Sequence, residues 1–260
     1  MHDPAKVLQK DPPANLMVRG TPHRLHTPRQ TLQFVEHMTG SPRYLPQTAH
    51  FISDHAIGQI FSEQVSRTEL LDRLQSLRNL WNRFDVFVIE ICTFREFTAQ
   101  LGRLPRRTLV LNTFSKRDQE LHRAAIEDEA ARGLSVPPVE ITMTNLTQSE
   151  VLQDMRRIKH ALRGRPVIWV SHMRPPSDDP RYDVVHRTRQ HVADTLEKGA
   201  AQLGDTFFDP SVIAAEMGQS AFFMKDGEDL DHLTPAAAAR LAGLYQSMAT
   251  EALSARRASA

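Results

Sequence analysis

Cysteine is nearly absent: Cys92 is the only one in 260 residues. A single thiol excludes an intramolecular disulfide and any multi-cysteine metal site. Long apolar runs are missing too. A stretch such as Val86-Phe87-Val88-Ile89 falls far short of the roughly 20 apolar residues of a membrane span. Met1-His2-Asp3-Pro4 lacks the charged start and apolar core of a signal peptide. These absences lead to the expectation of a cytoplasmic chain without a membrane span. No glycine-rich phosphate loop is present. Charge of one sign is also lacking, since 32 basic residues against 31 acidic ones leave +1. A dedicated nucleic-acid binder normally shows a basic excess, so none is expected as partner. Lysine is scarce: 6 of the 32 basic residues are Lys and 26 are Arg. Arginine excess suits carboxylate or phosphate recognition, and a GC-rich coding bias produces the same ratio.

What remains is globular. A hydrophobic share of 40% with 24% charged residues is enough to build a core and excludes disorder as the main state. Residues 1–14, with Pro4, Pro12 and Pro13, read as a loose arm, and 15–260 as one domain without an internal linker or repeat. Asn15 to Gly20 has the pattern of a first strand. Thr27 then caps a helix: Pro28 suits its first position, Gln30 completes a capping box, and Leu32, Val35 and Met38 form the apolar stripe ahead of Gly40. A second helix is predicted from Glu69 to Trp81, with Ser66 and Glu69 as its box, and a charged helical stretch over 115–133. Further helices are predicted over Gln148–Leu162, Val184–Leu203 and Thr234–Leu253.

Two segments, Asp85–Ile91 and Arg165–His172, are almost uninterrupted apolar runs rich in β-branched residues. Strands buried on both faces read this way. Asp205–Asp209 is a short last strand. Strands alternating with helices predict an α/β fold with a mostly parallel sheet covered by helices on both faces.

The strongest local signal is Asp229-Leu-Asp-His232-Leu-Thr-Pro235. An Asp three residues before a His can pair with it, fix its tautomer and support the imidazolium formed when the His takes a proton. The plainer reading is a polar loop leading into a helix capped by Thr234.

This block resembles the last conserved block of the SGNH (GDSL-type) hydrolase superfamily, where an Asp-x-x-His precedes the C-terminal helix and Leu-Thr-Pro often follows. The resemblance implies a three-layer α/β/α fold, an Asp229/His232 base pair and an ester as substrate. It is similar to SGNH-like proteins associated with bacterial surface-polysaccharide biosynthesis, which implies an acylated carbohydrate or related ester. Esterase and O-acyltransferase are the two activities that these parts serve. The first superfamily block departs from the pattern: Gly20-Thr21-Pro22-His23 stands where a Gly-Asp-Ser nucleophile is expected. Thr21 and Thr27 are the nearest hydroxyls. Thr27 sits at a helix N-terminus, where the dipole favours a developing oxyanion, although its capping role explains it as well. Gly58 is the counterpart of the glycine that lends an amide to the oxyanion hole. The Gly-x-Asn-Asp block is replaced by Ile89-Glu90-Ile91-Cys92-Thr93, without the Asn donor. The absent Ser and Asn motivate the alternative, a non-catalytic SGNH-like binding protein in polysaccharide assembly.

Other side chains complete the candidate set. Glu90 and His172 end the two buried strands, where parallel sheets place their sites. His23 and His26 flank the first loop as candidate pocket residues. A third reading is an enzyme of another class built on Glu90, His172 and His232. Cys92 is a candidate nucleophile for His232, or a small buried hydrophobe. Arg103, Arg106 and Arg107 form a basic run that reads as solvated surface or as a contact for an anionic substrate. His50 and His55 lack both a nearby Cys and a helical His-Glu-x-x-His pattern, so neither a metal nor a cofactor is expected. Nothing in the sequence fixes an oligomeric state.

Overall fold

The computed structural model describes residues 27–39, 81–101, 108–111 and 139–258, with the single positions 4 and 79. In chain order its elements are helix α1 (Pro28–Met38), strands β1 (Phe87–Ile91), β2 (Arg95–Leu101), β3 (Thr108–Leu111) and β4 (Val139–Asn145), helix α2 (Gln148–Ala161), β5 (Val167–Ser171), α3 (Asp183–Leu203), β6 (Thr206–Phe208), α4 (Ser211–Met217), α5 (Gln219–Phe222), β7 (Phe223–Met224), β8 (Asp229–Leu233) and α6 (Pro235–Ala258). The expected first strand at 15–20 and the helical segments at 69–81 and 115–133 lie mostly or wholly outside the described residues. The chain divides into two compact units, one of 1–21, 85–93 and 164–260, the other of 22–84 and 94–163.

In the first unit, β1, β5 and β6 form a parallel sheet in that order. The register pairs Glu90 with Val170 and Ile91 with Ser171. β5 is central, and all five of its residues are buried, as its apolar run predicted. β1 corrects the equivalent reading. Its burial alternates, with Phe87, Ile89 and Ile91 inside while Val88 and Glu90 face out. Among the described residues β1 pairs with β5 alone, and only one of its faces is packed, which is the period-2 signature of a half-buried strand.

The Trp169 indole N–H donates to Asp205 Oδ2 at 3.2 Å, and the Val167 N–H to Asp205 Oδ1 at 3.2 Å. Asp205 thereby ties the start of β5 to the start of β6. Helix α3 lays Val192, Leu196 and Ala200 on the sheet. Gly204, at φ 64°, ends it in the left-handed conformation that glycine adopts without a Cβ penalty. Below the sheet edge, Ile213, Phe222, Phe223, Leu233, Ala238 and Leu241 build a core from α4, α5, β7, β8 and α6. Asp229–Leu233, expected as a loop, is a strand paired antiparallel with Phe223–Met224.

In the second unit, β2 lies between β3 and β4 in an antiparallel sheet, pairing Arg95 with Asn145 and Gln100 with Thr108. No antiparallel sheet was expected from the sequence. Helix α1 has the predicted capping box: the Gln30 N–H donates to Thr27 Oγ1 and the Thr27 N–H to Gln30 Oε1, both at 3.2 Å. Its stripe of Leu32, Val35 and Met38 is buried, and the helix packs on α2. α2 starts with a second capping box, Thr147 with Glu150. The Arg29 guanidinium joins the helices to β2, donating to Glu96 at 2.8 Å, Asp154 at 3.1 Å and Glu150 at 3.4 Å. No described helix is long and apolar enough to cross a membrane.

Candidate active site

Three candidate side chains of the first unit gather at the C-terminal edge of its parallel sheet, and the register explains why. Glu90 lies in β1 and Cys92 directly follows that strand, two residues on. Because Ile91 pairs with Ser171, the following residues, Cys92 and His172, stand side by side. The His172 N–H extends the ladder by donating to the Ile91 carbonyl at 3.2 Å. Three chemically active side chains therefore meet. His172 Nδ1 lies 2.8 Å from Glu90 Oε1, and the Cys92 thiol donates to that same oxygen at 3.9 Å.

The other ring nitrogen of His172 faces Asp231 Oδ1 at 3.5 Å. Arg189, from α3, donates to Asp231 Oδ1 at 3.1 Å and to the Met173 carbonyl at 2.6 Å. Asp231 is thus held between a histidine and an arginine. Burial by itself lowers the His172 pKa, but Cys92, Asp231 and Glu90 outweigh it and hold the imidazolium well above its ordinary range. The carboxylates are the partners that matter near neutral pH, because burial first, and Glu90 second, push the Cys92 thiol up and keep it protonated. The hydrogen bond from His172, helped by Arg189, brings Asp231 down to about 2. Burial lowers Arg189 despite its partner.

Asp229 and His232 come together as the Asp-x-x-His spacing predicted. His232 Nδ1 lies 2.7 Å from Asp229 Oδ1. Lys225 Nζ sits 3.4 Å from the second carboxylate oxygen. The hydrogen bond from His232 lowers the Asp229 pKa. The turn before Asp229 holds Lys225, Asp226 and Gly227 at φ 52°, 56° and 91°, a run of left-handed backbone that L side chains seldom adopt. Gly227 also meets Gln219, whose side-chain amide donates to the Gly227 carbonyl at 2.9 Å. The Thr234 hydroxyl caps α6, accepting the Ala237 N–H at 3.2 Å.

The same unit holds a network the sequence did not signal. Asp209, directly after β6, accepts the Ser171 hydroxyl at 3.2 Å and the Ser211 N–H at 2.9 Å. Arg174 donates to the other Asp209 oxygen and, from its backbone N–H, to Ser211 Oγ at 2.8 Å. Ser171 and His172 leave opposite faces of β5, so one joins Asp209 and the other joins Glu90.

Of the residues singled out in the sequence, Glu90 and His172 touch, and Asp229 and His232 touch. Thr27 lies in the other compact unit, buried and engaged in its capping box. His23, His26, Gly58, Thr21, His50, His55 and the Arg103–Arg107 run lie outside the described residues. Asp231 and Arg189 were missed. Asp231 stood inside the recognised block, and only the known position of His172 gives it a role; Arg189 is one of two arginines on α3, and nothing local sets it apart from Arg187.

A family model, the TviD N-terminal domain, matches residues 112–245. It covers half of the chain, and the chain belongs to that family. The matched stretch carries His172, Arg189, Asp209 and the Asp229–Pro235 block, while Thr27, Glu90 and Cys92 precede it. No curated protein and no solved structure matches the chain.

Proposed function

We propose that the chain is an SGNH-like esterase or O-acyltransferase of polysaccharide biosynthesis, acting on an acylated carbohydrate or related ester. The observation that carries this reading is the 2.7 Å contact between Asp229 Oδ1 and His232 Nδ1. Asp229 accepts from Nδ1, which leaves Nε2 as the basic nitrogen. His232 Nε2 takes the proton of a hydroxyl, and that oxygen attacks the acyl carbonyl. The ester C–O bond breaks, and the departing alcohol takes the proton back from His232. Asp229 stabilises the imidazolium in between.

The attacking hydroxyl is that of Thr21, giving an acyl-enzyme that water or an acceptor sugar then resolves, or it is water or the sugar itself. The link of the TviD family to Vi polysaccharide biosynthesis supports a carbohydrate substrate. His172, Glu90, His23, His26 and Gly58 are the proposed substrate-side residues.

A second reading, a non-catalytic binding protein of the same assembly system, is favoured by the missing serine at Gly20-Thr21-Pro22-His23 and the missing asparagine after β1. Turnover of a small activated acetyl ester decides between them. We expect wild-type protein to turn it over and His232→Ala to lose that activity while keeping its circular dichroism spectrum. Equal turnover by both removes His232 from the reaction. No turnover by the wild type, with saturable binding of an oligosaccharide, supports the binding protein.

A further inference from the structure

The acyl-transfer reading uses Asp229 and His232 and leaves a cluster of donor side chains after β1 and β5 with only a substrate-side role. Glu90, Cys92 and His172 each offer one ligand atom, a carboxylate oxygen, a thiol sulfur and an imidazole nitrogen, within 4.8 Å of one another. We propose that these three residues form a binding site for a borderline-soft divalent metal ion of the zinc class, with Asp231 orienting the histidine from behind.

Donor spacing fits such an ion. Zinc–ligand bonds of about 2.0–2.3 Å in a tetrahedron place donor atoms roughly 3.3–3.7 Å apart. The structure has 2.8 Å between His172 Nδ1 and Glu90 Oε1, and 3.9 Å between Cys92 Sγ and that oxygen. These values bracket the requirement, so binding calls for adjustments of about half an ångström at rotatable side chains. The mixture of soft sulfur, imidazole and oxygen selects zinc over magnesium or calcium, which take oxygen alone.

A second, independent feature points the same way. A histidine that ligates metal through one nitrogen normally presents the other to a carboxylate, which fixes its ring. Here Nδ1 faces the donors and Nε2 faces Asp231. Asp231 is in turn held by one terminal nitrogen of Arg189, whose other terminal nitrogen donates to the Met173 carbonyl. The Arg189 charge is therefore paired with a carboxylate. Glu90 is half exposed while the His172 side chain is 13% exposed, which gives a formed floor and an open approach. Three protein ligands leave a fourth position for water or substrate, the pattern of an open zinc site. On binding, the Cys92 thiol proton and any proton on His172 Nδ1 leave to solvent.

Cys92 is the only cysteine, so every thiol signal reports this site. The test titrates metal-free full-length chain with Zn2+ by calorimetry and with Co2+ by absorbance. We expect one ion per chain and, with Co2+, a near-ultraviolet thiolate-to-metal band that Cys92→Ser abolishes. Asp231→Asn is expected to weaken binding about 10- to 100-fold. Because His172→Ala risks misfolding, the wild type supplies a further readout: Zn2+ is expected to slow iodoacetamide alkylation of Cys92 at least tenfold. Absence of saturable binding, a Co2+ spectrum without the thiolate band, or an alkylation rate indifferent to Zn2+ overturns the proposal. None of these readouts depends on turnover, so failure of the Asp229/His232 reading leaves them unaffected, and the reverse holds too.

Discussion

Asp231 Oδ1 stands 3.5 Å from His172 Nε2, one residue before the His232 that pairs with Asp229. A single five-residue strand, β8, therefore serves two histidines from different parts of the chain. Asp229 secures the local one, and Asp231 reaches the one that ends β5.

Together with Cys92 and Glu90, this contact raises the His172 pKa. Asp231→Asn is expected to lower the His172 pKa toward its ordinary value, read by NMR titration of the imidazole. The sign of the linked stability effect follows from the direction of the shift. His172 has a folded pKa well above 6.5, so its contribution is complete below 6.5 and is lost as pH rises through the folded value. Asp231, lowered to about 2, contributes above 3.8 and loses its contribution as pH falls toward 2. Wild-type stability is thus expected to decline on the alkaline side through His172, and Asp231→Asn is expected to flatten that decline in urea melts. An unchanged His172 titration in the variant contradicts the coupling.

Asp209 satisfies Ser171, Arg174 and Ser211 together. Asp209→Ala leaves the fully buried Ser171 hydroxyl without this acceptor and the Arg174 guanidinium without its carboxylate. A loss of about 2–4 kcal/mol is expected by chemical denaturation. A loss below about 0.5 kcal/mol would show that the network is dispensable.

In the other unit, Arg29 compensates Glu96, which is buried with one carboxylate oxygen lacking a hydrogen-bond partner among the described residues, and Asp154, which is nearly as buried. Burial raises both carboxyl pKa values even with Arg29 in place. Arg29→Ala is expected to cost about 3 kcal/mol at pH 7. The sign of its pH dependence is fixed: without Arg29 the two acids rise further, so protonation relieves the defect and the difference from wild type shrinks as pH falls through the carboxyl range. Melts at pH 7 and pH 4.5 that show the same difference contradict this.

Gly227, at φ 91°, has no room for a side chain, since a Cβ would lie 2.7 Å from Gln219 Cγ and 3.1 Å from the Gln219 carbonyl carbon. Gly227→Ala is expected to cost about 1–3 kcal/mol and to reduce turnover by displacing Asp229. A thermal melt and an acetyl-ester assay check both effects, and wild-type values in both remove the turn from the positioning of Asp229.

Local chemistry made much of this legible in the sequence. The capping box of α1, the apolar run of β5, and the limits of α2 and α3 are short-range signals that tertiary structure respected. β1 was misread because an apolar run does not say whether a strand is covered on one face or two, and coverage depends on distant segments. The antiparallel sheet of β2, β3 and β4 escaped notice because residues such as Arg95-Glu-Phe-Thr-Ala-Gln carry charges that blur its alternation, and β4 is far from β2 in sequence. In the site, Asp229 with His232 was readable because both lie in one short block. Glu90 with His172 followed from two strand ends. Asp231 with His172, and Asp209 with Ser171, depend on β5 lying beside β6 and near β8, which no local pattern encodes.

The most direct test of the central reading is a double-mutant cycle on Asp229 and His232, measured as kcat/KM for an activated acetyl ester. Asp229→Asn is expected to reduce it by about 10²–10⁴-fold and His232→Ala by at least as much, with the double variant no worse than His232→Ala alone, because Asp229 acts through His232. Losses that multiply in the double variant, or an Asp229→Asn enzyme as active as the wild type, contradict the pair as a catalytic unit.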